Sequence, residues 1–161
     1  MKRRWSWIAL AIAVILQATI VPYMSLNWFR PDITLIVLVY MAVRIGVLES
    51  MGAAFAAGLL IDSLSAGFMG LSSLSYAVAV YTAGKLFYYE VPLPTMRWMS
   101  AMGVAVVLYA VIFSVFYTLN AQPGIGRMLL VHAFPTAAYT WVLAALWSLT
   151  PLYERREGYK L

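Results

Sequence analysis

Six apolar runs follow one another along the chain, at residues 5–21, 31–44, 48–64, 70–89, 95–119 and 126–150, and each is closed by a short polar or Pro/Gly break. Each run predicts a helix, because backbone groups placed in hydrocarbon have to be satisfied within their own segment. The breaks carry the residues that end helices: Pro22, Asn27 and Pro31, then Gly46 and Glu49, then Pro92 and Pro94, then Asn120, Pro123, Gly124 and Gly126. The second run is the short one. Its fourteen residues reach roughly 21 Å at about 1.5 Å per residue, against a hydrocarbon core of about 30 Å. Either it is re-entrant, leaving five spans, or the bilayer thins and Arg30 and Arg44 snorkel around it.

Charge decides between the two counts. With six spans and an inner N-terminus, the inner side holds Lys2, Arg3, Arg4, Arg44, Lys85, Arg97, Arg155, Arg156 and Lys160, and the outer side only Arg30 and Arg127. Five spans leave only Lys2, Arg3, Arg4 and Arg127 inside. The excess of Lys and Arg on cytoplasmic loops favours six spans with both termini in the cytoplasm. The aromatics agree: Trp5, Trp7, Trp98 and Trp147 fall near the inner interface and Trp28 near the outer one, while Trp141 falls nearer mid-helix.

Composition fixes the solvent. Of 161 residues, 64% are apolar and 11% charged, about half the charged share of a soluble domain. With no cysteine there is no disulfide framework, thiol nucleophile or thiolate metal site. The net charge of +5 sits at loop ends, which suits anionic lipid headgroups and not nucleic acid. The N-terminal run is too long for a signal peptide and no small-x-small cleavage site follows before Pro22, so it reads as a retained first helix.

Residues 31–85 hold the most informative polar positions. Asp62 lies in the last turn of the third run, just before a hinge with glycines at Gly67 and Gly70. A carboxylate this deep has to turn inward or toward a partner. The sequence leaves two uses open: a turn of its own, accepting from the amides of Leu64 and Ser65, or a contact with a partner. The third run also carries three small-xxx-small pairs, Gly52/Ala56, Ala53/Ala57 and Ala54/Gly58, covering more than one face. Small residues let backbones approach closely in lipid, which places this helix at the centre of the bundle. Pro31 and Asp32 read as the start and cap of the second helix, and Arg44 suits its inner end. Pro135 predicts a kink in the sixth helix.

Catalytic patterns are missing. His132 stands alone, no nucleophile elbow, Ser-x-x-Lys, phosphate loop or dinucleotide fingerprint appears, and Asp62 has no second deep acid, since Asp32, Glu49 and Glu90 sit at segment ends. No enzyme activity, cofactor or metal is expected. The reading is a single all-α, polytopic integral membrane domain, a compact six-helix bundle working through helix–helix contacts.

The pattern Pro31-Asp32 opening an apolar helix, then Gly58-Leu59-Leu60-Ile61-Asp62, then Ser65-Ala66-Gly67-Phe68-Met69-Gly70-Leu71, resembles the rod shape-determining protein MreD family. The basic N-terminus and Arg-rich C-terminus fit it too. The resemblance implies a non-catalytic scaffold of the bacterial cell-elongation machinery in the inner membrane. It also implies the bitopic protein MreC as direct partner, with links through it to the polymerase RodA, its penicillin-binding partner and MreB. In architecture such chains resemble the substrate-binding subunits of energy-coupling-factor vitamin transporters, whose first helix uses an Ala-x-x-x-Ala contact, and Ala9 and Ala13 have that spacing. A transporter subunit is therefore the rival reading. Polar outer residues for a pocket are few: Asn27, Trp28, Asp62, Asn120, Gln122 and His132.

Overall fold

The computed structural model describes residues 3–19, 31–64, 69–87, 95–121 and 134–148. Gly67, His132, Trp28, Arg30, Arg127 and the two chain ends lie outside it. Every described element is a helix: α1 (Arg3–Thr19), α2 (Ile33–Arg44), α3 (Val47–Leu64), α4 (Leu71–Phe87), α5 (Thr95–Ala121) and α6 (Phe134–Ser148). Two of them hold stretches long and apolar enough to cross a membrane, Val47–Leu64 and Trp98–Phe116, and α1 and α2 are shorter apolar helices. The six predicted segments are thus all helical in their described parts.

The helices alternate in direction. Gln17 near the end of α1 bonds to Pro31 and Ile33 at the start of α2. Ile45 and Gly46 then turn the chain straight into α3, with Gly46 at φ 143° where a side chain would be strained. The start of α3 meets the end of α4, since Gly84 faces Val47 and Ala42. On α5 and α6, Trp98 Nε1 donates to the Ala144 carbonyl (3.4 Å) and Trp141 Nε1 to the Met99 carbonyl (3.1 Å). The start of α1 and the end of α6 therefore lie at one end of the bundle, together with Arg44, Glu49 and Lys85. Asp32 and Asp62 lie toward the other end.

The centre is α2, not α3. All ten residues 34–43 are buried, enclosed by α1, α3, α4, α5 and α6. A helix that is apolar all round can be covered on every side, and a short one is covered most completely. On α3 only one face is buried (Ser50, Ala53, Ala54, Ala57, Gly58, Asp62), while Leu48, Phe55, Leu60 and Leu64 are exposed. Alanine content alone does not make a helix central in a bundle whose outside is also apolar.

The kink expected at Pro135 turns on residues 122–133, which lie outside the described residues. One further expectation gives way. Trp98 is fully buried, its ring set edge-on against Tyr40 at 6.1 Å, and not at a lipid interface. Trp5 and Trp7 are exposed, as an interfacial belt requires.

Candidate functional site

The α3–α4 pair is the most extensively packed in the bundle, and Gly58 explains why. A Cβ at Gly58 would overlap the backbone of Ser73 and come within 2.9 Å of the Ser72 carbonyl carbon. The backbones of α3 and the first turn of α4 are therefore in direct contact, which only glycine permits. One turn further, Asp62 Oδ2 accepts from the Gly70 amide at 2.8 Å and the Ser72 amide at 3.1 Å. The first amides of a helix have no intrahelical acceptor. Asp62, from the end of one helix, thus caps the start of the next. Gly70 adopts φ 94° at that junction, a left-handed conformation that favours glycine.

This adds α4 to the two uses expected of Asp62, a turn of its own or a partner. Asp62 Oδ2 is engaged with residues eight and ten positions on, while Ser65, one of the two amides expected to turn onto this carboxylate, lies outside the described residues. The sequence signal was present in the 58-to-62 spacing, which puts Gly58 and Asp62 on one face. The register of α4 against α3 was not.

Asp32 is a second deep acid, which the sequence reading missed by placing it at a segment end. It is the N-cap of α2, with Oδ1 accepting from the Leu35 amide at 3.0 Å, as expected of a cap. Pro31 lies just before the cap, outside the helix. Asp32 is only 4% exposed, and Oδ2 accepts from the Tyr76 hydroxyl at 2.7 Å. Tyr76 stacks on Tyr109 at 5.0 Å, and Tyr109 lies close to both Asp32 and Asp62.

The start of α2 is held from three sides. The Asp32 amide donates to Thr140 Oγ1 (3.0 Å), the Ile33 amide to Gln17 Oε1 (3.0 Å), and Gln17 Nε2 returns a bond to the Pro31 carbonyl (3.1 Å). A helix can begin away from water only when its free amides find protein acceptors. Here α1, α6 and the cap itself supply them.

At the opposite end, Arg44 lies over the Tyr40 ring at 5.5 Å and Lys85 over the Tyr81 ring at 5.5 Å. Both cations are exposed, in position for lipid headgroups.

Gly52 and Ala56 have a different fate from Gly58. Both are exposed, and a Cβ at Gly52 would meet nothing within 4 Å. The structure thus separates residues read together in the sequence. Gly58, Gly70 and Asp62 join α3 to α4, Pro31 and Asp32 start α2, and Gly52 and Ala56 face outward. Among the described residues no group of three or more His, Cys, Asp or Glu gathers as a metal site.

A family model described as rod shape-determining protein MreD matches residues 2–153, nearly the whole chain. No curated protein and no solved structure matches the chain.

Proposed function

Because the chain belongs to the rod shape-determining protein MreD family, we propose that it is a non-catalytic membrane scaffold of the bacterial cell-elongation complex. It binds MreC directly and through MreC is linked to RodA, the penicillin-binding partner and MreB, and so to peptidoglycan synthesis. The family match over residues 2–153 carries this reading. A role in rod-shape determination follows from the family itself; the partners and the scaffold mechanism are the proposal.

The protein sits in the inner membrane with six spans and both termini cytoplasmic. Support comes from the alternation of the six helices, which brings Arg4, Arg44 and Lys85 to one end of the bundle with the start of α1 and the end of α6. That end is the cytoplasmic one by the positive-inside rule. A cytoplasmic reporter fused at Leu161 should be active, and alkaline phosphatase activity there would overturn the topology.

The rival reading is a binding subunit of an energy-coupling-factor transporter, but a vitamin carrier needs polar groups turned toward a ligand. At the outer end Gln17, Asp32, Asp62 and Thr140 are instead bonded to backbone amides. Full-length protein co-expressed with MreC should retain it through purification, and cells lacking the protein should round up. Retention of a stoichiometric water-soluble metabolite, with MreC lost, would replace the scaffold by the transporter.

A further inference from the structure

The open faces of α3 and α5 differ in height. Gly70 and Ser72, at the start of α4, bond to Asp62 near the end of α3, and Tyr109 of α5 lies beside both Ser72 and Asp62. From that shared level α3 runs on only two residues, to Leu64, whereas α5 runs on twelve, to Ala121. Those further turns of α5 carry exposed Val111, Val115, Phe116 and Leu119. The exposed apolar residues at the two ends of α3, Leu48 (80%) and Leu64 (71%), are sixteen positions apart, about 24 Å along the axis. On α5 the same measure from Met96 (87%) to Leu119 (71%) covers twenty-three positions, about 35 Å. A hydrocarbon core of about 30 Å falls between the two.

We propose that the protein thins the bilayer beside α3 and α4, drawing the outer headgroups down to Leu64 and Met69, while beside α5 the membrane keeps its ordinary thickness. The inference rests on the membrane-spanning reading and not on MreC. Tilt shortens the vertical reach of a helix and never extends it, so α5 can lean to fit the bilayer but α3 cannot stretch to it. Lys85, exposed in the last turn of α4, marks the level of the inner headgroups, and it lies thirteen residues, about 20 Å, from Ser72. At the other end α3 closes on exposed Ser63 and Leu64, and α4 opens after exposed Met69. The last carbonyls of a helix have no intrahelical donor, and lipid offers none. Water brought down to that level supplies it. The short α2 is enclosed on every side and demands no thinning of its own, so the deformation belongs to α3 and α4.

The test uses the full-length chain in vesicles of phosphatidylcholine and phosphatidylglycerol, with no other protein. The chain has no cysteine, so Leu64→Cys and Leu119→Cys, at equally exposed positions, each carry one spin label. Phe55→Cys, exposed midway along α3, carries the reference label. Depth is read from relaxation by oxygen against relaxation by a water-soluble nickel chelate. The Leu64 and Leu119 labels should lie at the same depth beneath the outer phosphates to within about 3 Å, whereas a flat membrane puts Leu64 about 10 Å deeper. That gap, or a Leu119 label free in water above an evenly thin membrane, overturns the proposal. A Phe55 label in water removes the membrane-spanning reading itself, and the proposal with it. A second measurement needs no label. In phosphatidylcholines with chains lengthened from fourteen to twenty-two carbons, the melting temperature should fall by several degrees as α3 grows harder to match. A melt that holds steady or rises with chain length overturns the thinning equally.

Discussion

On the side of α3 that meets α4, Gly58 sets two backbones in contact and Asp62, one turn on, caps the neighbouring helix. On the open side, Gly52 and Ala56 are just as small and are exposed, and a Cβ at Gly52 would meet nothing within 4 Å. The residue types are the same; the neighbour differs. A small-xxx-small spacing therefore reports a capacity for close approach, and only the packing of the bundle says whether that capacity is already filled from within the chain.

The sharpest way to break this contrast is Gly58→Leu. The side chain would drive into the α4 backbone, which cannot rotate away as a side chain can. The loss should reach or exceed the top of the usual overpacking range of about 1–3 kcal/mol, read as a lowered melting temperature in detergent. A variant that melts like the parent would remove the backbone contact from the account.

Asp62→Ala comes next. It leaves the Gly70 and Ser72 amides without their acceptor, for a loss of about 2 kcal/mol. Asp62→Asn should recover most of it, since Asn also caps well, and should keep MreC bound. If Asn melts normally but sheds MreC, Asp62 belongs to a partner interface and not to α4.

Tyr76→Phe keeps the stack on Tyr109 but removes the donor to Asp32, with an expected loss of about 1.5 kcal/mol in the same melt. The smallest effect belongs to the open face. Gly52→Ala has room for its methyl and gains helix propensity, so it should stabilise by about 0.5 kcal/mol. A clear loss there would mean that α3 is covered on both sides within the chain.

The helices and their breaks were legible in the sequence because Pro, Gly and Asn punctuate runs of apolar residues. The cap at Asp32 was legible for the same reason. The identity of the central helix was not. In water, a buried face announces itself by apolar periodicity; in lipid the outside is apolar too, so α3 looks alike on its covered and open faces. Asp62 stood out in the sequence as a deep carboxylate, but its bonds to Gly70 and Ser72 depend on how α4 lies along α3, and no local pattern encodes that register. Asp32 was underestimated because its place at a segment end suggested an exposed position, whereas α2 is short enough to start inside the bundle.

The bond from the Asp32 amide to Thr140 joins residues 108 positions apart, and it bears on how the protein is made. During synthesis α2 leaves the ribosome long before α6 exists, so one amide at its start waits for an acceptor until nearly the whole chain has been translated. The innermost helix is thus among the first to enter the membrane and the last to be locked. A chain that stalls before residue 140 holds an incompletely satisfied helix start, an exposed polar defect that distinguishes unfinished molecules from finished ones.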